Sequence, residues 1–287
     1  MSQPPLAREP AACMWCLSPD GPFDLSHVIP ASCGNNELVL PSPIVCEHCN
    51  GSFKKIERVF AAEPEFNFKA ALLGVPNART GKPFTHDRFG VTEKLPPREP
   101  GTNRAFVAGV HLNLNMQDPP KLEVIPSLTV NEIEVPLPPV TTVTTLRWVE
   151  LYSRSVYKIL FEWYAHHYYV TGRIRETSPA PTDERFHGLR RFVKCGQPQG
   201  NPRMLIRWYE TTNNTMDWWV DENSDVLLTE MNLMGTHYIG ALAGNNAVAE
   251  QRLNELIERI PRPALVFSDN VRATGAIESS LTTLWRL

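Results

Sequence analysis

The chain has 287 residues, of which 42% are hydrophobic, and its formal net charge is −3 at pH 7. A chain of this length and composition can bury a sizeable core in one or two domains, which excludes a disordered or fibrous protein. The nearly balanced charge excludes a general attraction to nucleic acid, so any phosphate contact must come from a local basic face.

The N-terminal residues contain no apolar stretch of the kind that a secretory signal needs. No apolar run in the sequence reaches the ~18 residues that a membrane helix needs. We therefore expect a cytoplasmic protein without a membrane partner. Residues 1–12 are predicted to form a flexible leader.

Four cysteines near the N-terminus form two Cys-x2-Cys pairs: Cys13, Cys16, Cys46 and Cys49. In a reducing compartment this spacing favours one tetrahedral Zn²⁺ site over disulfides. The 29 residues between the two pairs are enough for a β-hairpin that the metal closes at its base. Such a short hairpin buries little apolar surface, so we expect zinc to supply the missing stability.

The segment between the cysteine pairs contains His27, which is followed by Val-Ile-Pro. Because proline has no N–H for a strand ladder, the first strand should end near Pro30, with the imidazole close to the strand end. After the second pair, a helix is predicted from Asn50 to Phe60. It carries three basic side chains that suit phosphate binding: Lys54, Lys55 and Arg58.

This arrangement resembles the HNH, or ββα-metal, endonucleases, in the subtype where two Cys-x2-Cys pairs flank a His-Val-Ile-Pro strand and a Cys-x2-Cys-Asn turn. The resemblance covers about 45 residues, roughly a sixth of the chain. It implies a nuclease that hydrolyses phosphodiester bonds of DNA, with RNA as an alternative substrate. It also implies that His27 is the general base and that Asn50 binds a catalytic Mg²⁺, Mn²⁺ or Ni²⁺ ion.

The chain departs from the family pattern immediately before this histidine. Ser26 occupies the position at which many members have an aspartate or glutamate that binds the catalytic metal. Two other residues are candidates to bind the catalytic metal instead, Asp24 and His27 itself.

Two further departures concern the middle asparagine and the second cysteine pair. Pro41 occupies the position of the asparagine that orients the family histidine. Asn35 and Asn36 are the nearby candidates for this role, and we assign it to Asn36. His48, inside the second Cys-x2-Cys pair, is a possible additional ligand.

The rest of the chain is predicted to contain a connector and a second domain. Residues 61–140 are rich in proline and turn residues and should form a connector with two or three strands. Residues 141–287 are predicted to be a separate α+β domain that recognises a target or senses a signal. Its predicted helices are 144–169, 186–193 and 248–260, and its predicted strands are 204–209, 216–220, 226–231, 237–242 and 264–267. The predicted fold class is therefore α+β, with a zinc-bound ββα-metal (HNH) module at residues 13–60.

Other functions stay open at this point. The four cysteines alone also fit a zinc ribbon without catalysis, that is, an adaptor that binds nucleic acid or protein. A third hypothesis is a nuclease that stays silent until a ligand, a partner or homo-oligomerisation activates it through residues 141–287. In the resembling family such fusions often belong to bacterial restriction or phage (antiviral) defence.

Overall fold

The structure is a computed structural model that describes residues 6–35, 37–62, 66 and 146–196, with further strands and one helix between residues 106 and 284. Within these residues, helices combine with three antiparallel sheets. The predicted mixture of helix and strand (α+β) is therefore confirmed. None of the described helices has the length and apolar character required to cross a bilayer.

The first sheet consists of the two strands that the cysteine pairs flank. Strand β1 (Phe23–His27) pairs antiparallel with β2 (Val39–Cys46). The pairing skips residues 41–44, which contain two prolines without an N–H for the ladder. A 3-10 turn, Ala31–Cys33, lies between the strands. The ladder is thus too short to hold the hairpin together by itself.

Two short helices follow β2 directly, where the sequence predicts a single helix. Helix α1 spans Glu47–Ser52 and α2 spans Lys54–Ala61. They meet at Phe53, whose side chain is buried in the core. The break has a local cause, because Gly51 and Ser52 are weaker helix formers than the residues of α2.

The second sheet lies in the predicted connector and has four strands in the described residues. They are β3 (Phe106–Asn115), β4 (Lys121–Val130), β5 (Ile133–Pro136) and β6 (Val140–Val143). Strand β4 pairs with the other three.

A long central helix, α3 (Leu146–Ala165), continues into a π-helical turn, His166–Val170. Helix α4 (His187–Cys195) packs against α3 and ends at Gly196. This glycine has a φ of +65°, the left-handed conformation that commonly ends helices.

Two residues near the N-terminus are bonded to the π-helical turn. The backbone N–H groups of Ala7 and Arg8 both donate to the carbonyl oxygen of Tyr169. The Arg8 guanidinium donates to the carbonyl oxygens of Tyr168 and Ile174 and lies 4.4 Å from the Tyr168 ring centroid. Part of the segment predicted as a leader is therefore held against the end of α3.

The third sheet contains six strands in the order β12-β11-β7-β10-β9-β8. Its strands are β7 (Met204–Tyr209), β8 (Met216–Asn223), β9 (Val226–Leu233), β10 (Thr236–Gly244), β11 (Ala264–Ser268) and β12 (Thr283–Leu284). Helix α5 (Asn246–Arg259) covers one face and α3 packs on the same strands. Because side chains alternate along a strand, successive residues of β9 and β10 lie in different hydrophobic clusters. Val226, Leu228 and Ile239 pack in the cluster that includes α5. Leu227, Met231 and Tyr238 pack in the cluster that includes α3.

One continuous core joins the cysteine-rich region to α3 and the large sheet. The ring of Trp15, between Cys13 and Cys16, lies with its centroid 5.2 Å from that of Phe161 on α3. The Phe60 ring of α2 stacks 6.2 Å from Tyr152 of α3 and lies 6.4 Å from Tyr238 of β10. A separate second domain is thus not confirmed, since residues 13–61 share their core with the helix that follows.

Replacement of Phe60 by alanine tests this shared core. Phe60 is fully buried between elements from both halves of the chain. We expect Phe60→Ala to lower the free energy of unfolding by about 3–5 kcal/mol. Lys55→Ala, on the exposed face of the same helix, is the control and should change it by less than about 0.5 kcal/mol. Equal urea midpoints for the two variants in circular dichroism would contradict the shared core.

Candidate functional site

The four paired cysteines come together as a group that can hold one metal ion. The Sγ atoms of Cys13, Cys16, Cys46 and Cys49 all lie within 4.8 Å of one another. The Sγ atoms of Cys16 and Cys46 are 3.7 Å apart. A tetrahedral zinc ion with Zn–S bonds of ~2.3 Å sets its sulfur atoms about 3.8 Å apart, so the thiols fit structural zinc.

Backbone hydrogen bonds hold the two cysteine pairs against each other. The Met14 N–H donates to the carbonyl oxygen of Ile44, inside the gap of the β2 ladder. The Cys46 N–H donates to Cys13 Sγ at 3.4 Å. Leu17 takes a φ of +63°, which closes the first turn tightly after Cys16. The interruption of β2 thus provides the carbonyl that docks the first pair beside the second.

The thiols of this group have opposite pKa shifts. The pKa of Cys13 is lowered to about 4, chiefly by its hydrogen bond with Cys49. The pKa of Cys49 is raised, chiefly by that same bond and then by burial. Four thiols this close cannot all ionise, because their like charges repel, whereas a divalent cation removes the repulsion.

Helix α4 supplies a cation to the edge of the cysteine group. Lys194 Nζ donates to Cys49 Sγ at 3.7 Å. The end of α4 is fixed in turn by Arg154 of α3, whose guanidinium donates to the carbonyl oxygens of Val193 and Lys194. A zinc ion with four thiolates carries a net charge of −2, which this ammonium partly offsets.

His27 is the last residue of β1 and is half-buried. Burial lowers its pKa, and the charge of Lys158 lowers it further. Glu57, the Asn35 backbone and Asp24 act in the opposite direction without cancelling the shift. The imidazole is therefore neutral near pH 7, which is the form that accepts a proton.

Asn50 lies on α1 and contacts β1. Its Nδ2 donates to Asp24 Oδ2 and to the carbonyl oxygen of Leu25, both at 3.2 Å. Its Oδ1 accepts from Ser26 Oγ at 3.3 Å. The fold therefore brings two predicted cation ligands, Asp24 and Asn50, into contact at β1, the strand that ends at His27. Within the described residues, however, the four cysteines make up the one group of three or more metal-binding side chains.

Asn35 fixes the loop between β1 and β2. Its Nδ2 donates to the carbonyl oxygens of Ile29 and Leu38, and its Oδ1 accepts from the N–H groups of Glu37 and Leu38. Its backbone also acts to raise the pKa of His27, whose buried Nδ1 has no hydrogen-bond partner among the described residues. Asn36, to which the sequence analysis assigns the role of orienting the histidine, lies outside the described residues.

Ser26 points into the protein, towards α3. It is fully buried, and its Oγ lies 3.2 and 3.3 Å from the Glu162 carboxylate oxygens, so its one proton is shared between Glu162 and Asn50 Oδ1. Glu162 also accepts from Trp15 Nε1 at 3.0 Å. The position at which the family pattern has a metal-binding carboxylate thus forms part of an internal network.

The site residues assigned from the sequence do not include three charged side chains near the end of β1: Lys158, Glu57 and Glu162. Lys158 Nζ donates to the His27 carbonyl oxygen at 2.7 Å and forms ion pairs with Glu57 at 3.0 Å and Glu162 at 2.8 Å. The sequence gives only a weak indication of this network. Lys158 and Glu162 are four residues apart within the apolar pattern of α3, and a charge that is buried there needs a partner.

The basic residues predicted to bind phosphate all lie on α2. Lys54, Lys55 and Arg58 are exposed, whereas Ile56 and Phe60 of the same helix are buried. The helix therefore presents its cations to solvent and its apolar residues to the core.

Comparison with protein-family models, with curated proteins and with solved structures gave no match.

The zinc content of two cysteine variants tests the metal group. Cys46→Ala removes one of the four thiols, so the dialysed protein should lose most of its one zinc per chain. Cys33→Ala is the matched control, because Cys33 is buried outside the group and burial raises its pKa to about 12. Metal analysis by mass spectrometry reads out both variants. Full zinc content in Cys46→Ala, or none in the unsubstituted protein, would contradict the assignment.

Proposed function

We propose that the protein is a metal-dependent endonuclease of the HNH type that hydrolyses phosphodiester bonds of DNA, with RNA as an alternative substrate. The observation that carries this proposal is the contact between Asp24 and Asn50 at β1, the strand that ends at the half-buried His27. A base and two cation ligands on a zinc-held ββα unit make up the parts that the reaction requires.

In this proposal His27 is the general base. Its lowered pKa keeps the imidazole neutral near pH 7, so the ring can take the proton of the attacking water. The Asn35 side chain makes four hydrogen bonds that fix the loop next to this strand end. The role assigned to Asn36 from the sequence stays a prediction, because that residue lies outside the described residues.

Asp24 and Asn50 would hold the catalytic cation. Asp24 is exposed and Asn50 is partly exposed, so both can be reached from solvent. Their carboxylate and amide groups are the ligand types that Mg²⁺ and Mn²⁺ prefer. When bound, the Mg²⁺, Mn²⁺ or Ni²⁺ ion would supply positive charge to the phosphate and the leaving oxygen. His27 is then left free to act on the water.

A zinc-ribbon adaptor that binds nucleic acid or protein without cleavage is the second candidate function. It is favoured by Ser26, which places a buried hydroxyl, and no carboxylate, immediately before His27. The two candidates share the cysteine-bound zinc and differ in whether His27 is needed.

The remaining proposals concern regulation and biological role. Residues 141–287 would recognise a target or respond to an activating ligand, a partner or a second copy of the chain. A role in bacterial restriction or phage defence is proposed from the family resemblance alone.

Cleavage of plasmid DNA by histidine variants separates the candidates. With Mg²⁺, Mn²⁺ or Ni²⁺ present, His27→Ala should lose at least about 100-fold in kcat, since it lacks the base. His187→Ala, which removes an exposed histidine at the start of α4, is the matched control and should cleave normally. If His27→Ala cleaves as well as this control, or if every form is inert on both DNA and RNA, the adaptor is the better description.

The basic face of α2 is tested by the salt dependence of DNA binding. Lys54→Gln/Lys55→Gln removes two exposed charges, so the slope of log Kd against log salt should fall by about 2. The control, Arg173→Gln/Arg175→Gln, removes two exposed charges outside α2 and should leave the slope unchanged. Equal slopes for both double variants would rule out this face as the DNA contact.

A further inference from the structure

Lys158 of α3 is a buried cation whose hydrogen bonds are all used. Its side chain has no exposed surface, and its Nζ has three oxygen partners: His27 O at 2.7 Å, Glu162 Oε2 at 2.8 Å and Glu57 Oε1 at 3.0 Å. An ammonium group has three N–H donors, so none is left for a phosphate or a water. Lys158 is therefore placed to hold other groups and not to contact a substrate.

Glu162, one turn further along α3, holds the neighbouring residue of the same strand. Its carboxylate accepts from Ser26 Oγ and from Trp15 Nε1, and it has no exposed surface. Between them, Lys158 and Glu162 bind the backbone of His27 and the side chain of Ser26. Two consecutive residues at the end of β1 are thus attached to one helix that begins more than a hundred residues later.

The contacts of Lys158 with the two carboxylates keep its ammonium charged in spite of its burial. Burial lowers the pKa of Lys158, but the attraction of Glu162 and Glu57 outweighs it and raises the pKa overall. The ammonium is therefore charged, and it needs these partners to stay buried. A buried ion pair of this kind often adds little to stability over an apolar pair of similar size, so its main effect is on position.

We propose that Lys158 and Glu162 are positioning residues that set the orientation of His27 for phosphodiester cleavage. The proposal rests on the proposed function of His27. The β1–β2 ladder ends at the pair His27 and Val39, and one more backbone bond follows it, from Val28 N–H to the Leu38 carbonyl oxygen. The Lys158 ammonium adds a bond from α3 to the His27 carbonyl oxygen, on the backbone from which the imidazole extends. Displacement of a reacting group by ~1 Å can cost about 100-fold in rate.

The test compares two variants of the full-length protein with a control on the same helix. Lys158→Met/Glu162→Gln removes both charges of the fully buried pair, and the glutamine can still accept from Ser26. Glu57 loses its partner but keeps some access to water, since its side chain is 22% exposed. Lys158→Arg keeps the charge but cannot place a nitrogen at the same point. Tyr152→Phe, which removes a buried hydroxyl bonded to Tyr238, is the control.

We expect kcat for plasmid cleavage to fall about 10- to 100-fold in both Lys158 variants, with KM within about twofold of wild type. Tyr152→Phe should keep both constants. Unchanged kcat in a folded Lys158 variant would overturn the proposal. An equal fall in Tyr152→Phe would overturn it too, because the effect would then be general to α3.

A second readout does not depend on cleavage. In ¹³C–¹H NMR spectra, the Cε1–H signal of His27, assigned with His27→Gln, should move in both Lys158 variants while that of His187 stays in place. A His27 signal that stays in place would overturn the positioning role even if the protein cleaves DNA. Wild-type protein that fails to cleave, with a His27 signal that moves, would overturn the proposed function and leave the positioning intact.

Discussion

The buried ion pair between Lys158 and Glu162 is the interaction on which the site depends. Charges without access to water need partners, and here each partner belongs to a different part of the site. Lys158 binds the backbone of His27, while Glu162 binds Ser26 and the indole of Trp15 between the first two cysteines. The pair therefore fixes the strand, the first cysteine turn and α3 relative to one another.

The group of four cysteines and this ion pair have complementary tasks. The β1–β2 ladder skips residues 41–44, so hydrogen bonding alone holds the hairpin weakly. The cysteine group closes the hairpin at the end where β1 begins, since Phe23 pairs with Cys46. The α3 side chains hold the opposite end, at His27. The candidate base thus stands on a strand that is fixed at both ends, as a preorganised site requires.

The features that could be predicted from the sequence are those encoded locally. The spacing of the four cysteines indicates the metal group, and the alternating pattern from Met204 to Leu242 indicates strands that the structure contains. The network around Lys158 could not be predicted in this way, because its partner His27 is 131 residues away. Nor does composition show that the Asn35 amide fixes the loop, since its four bonds exist only in the folded chain.

Hydrogen exchange with and without zinc tests whether α3 and the hairpin closed by the four cysteines form one structural unit. The full-length protein would be compared before and after removal of the metal by a chelator, and amide exchange would be followed by mass spectrometry. The account predicts faster exchange both in β1 and in the segment of α3 around Lys158 and Glu162, because loss of the hairpin exposes their buried charges. Faster exchange confined to residues 13–61, with α3 unchanged, would contradict it.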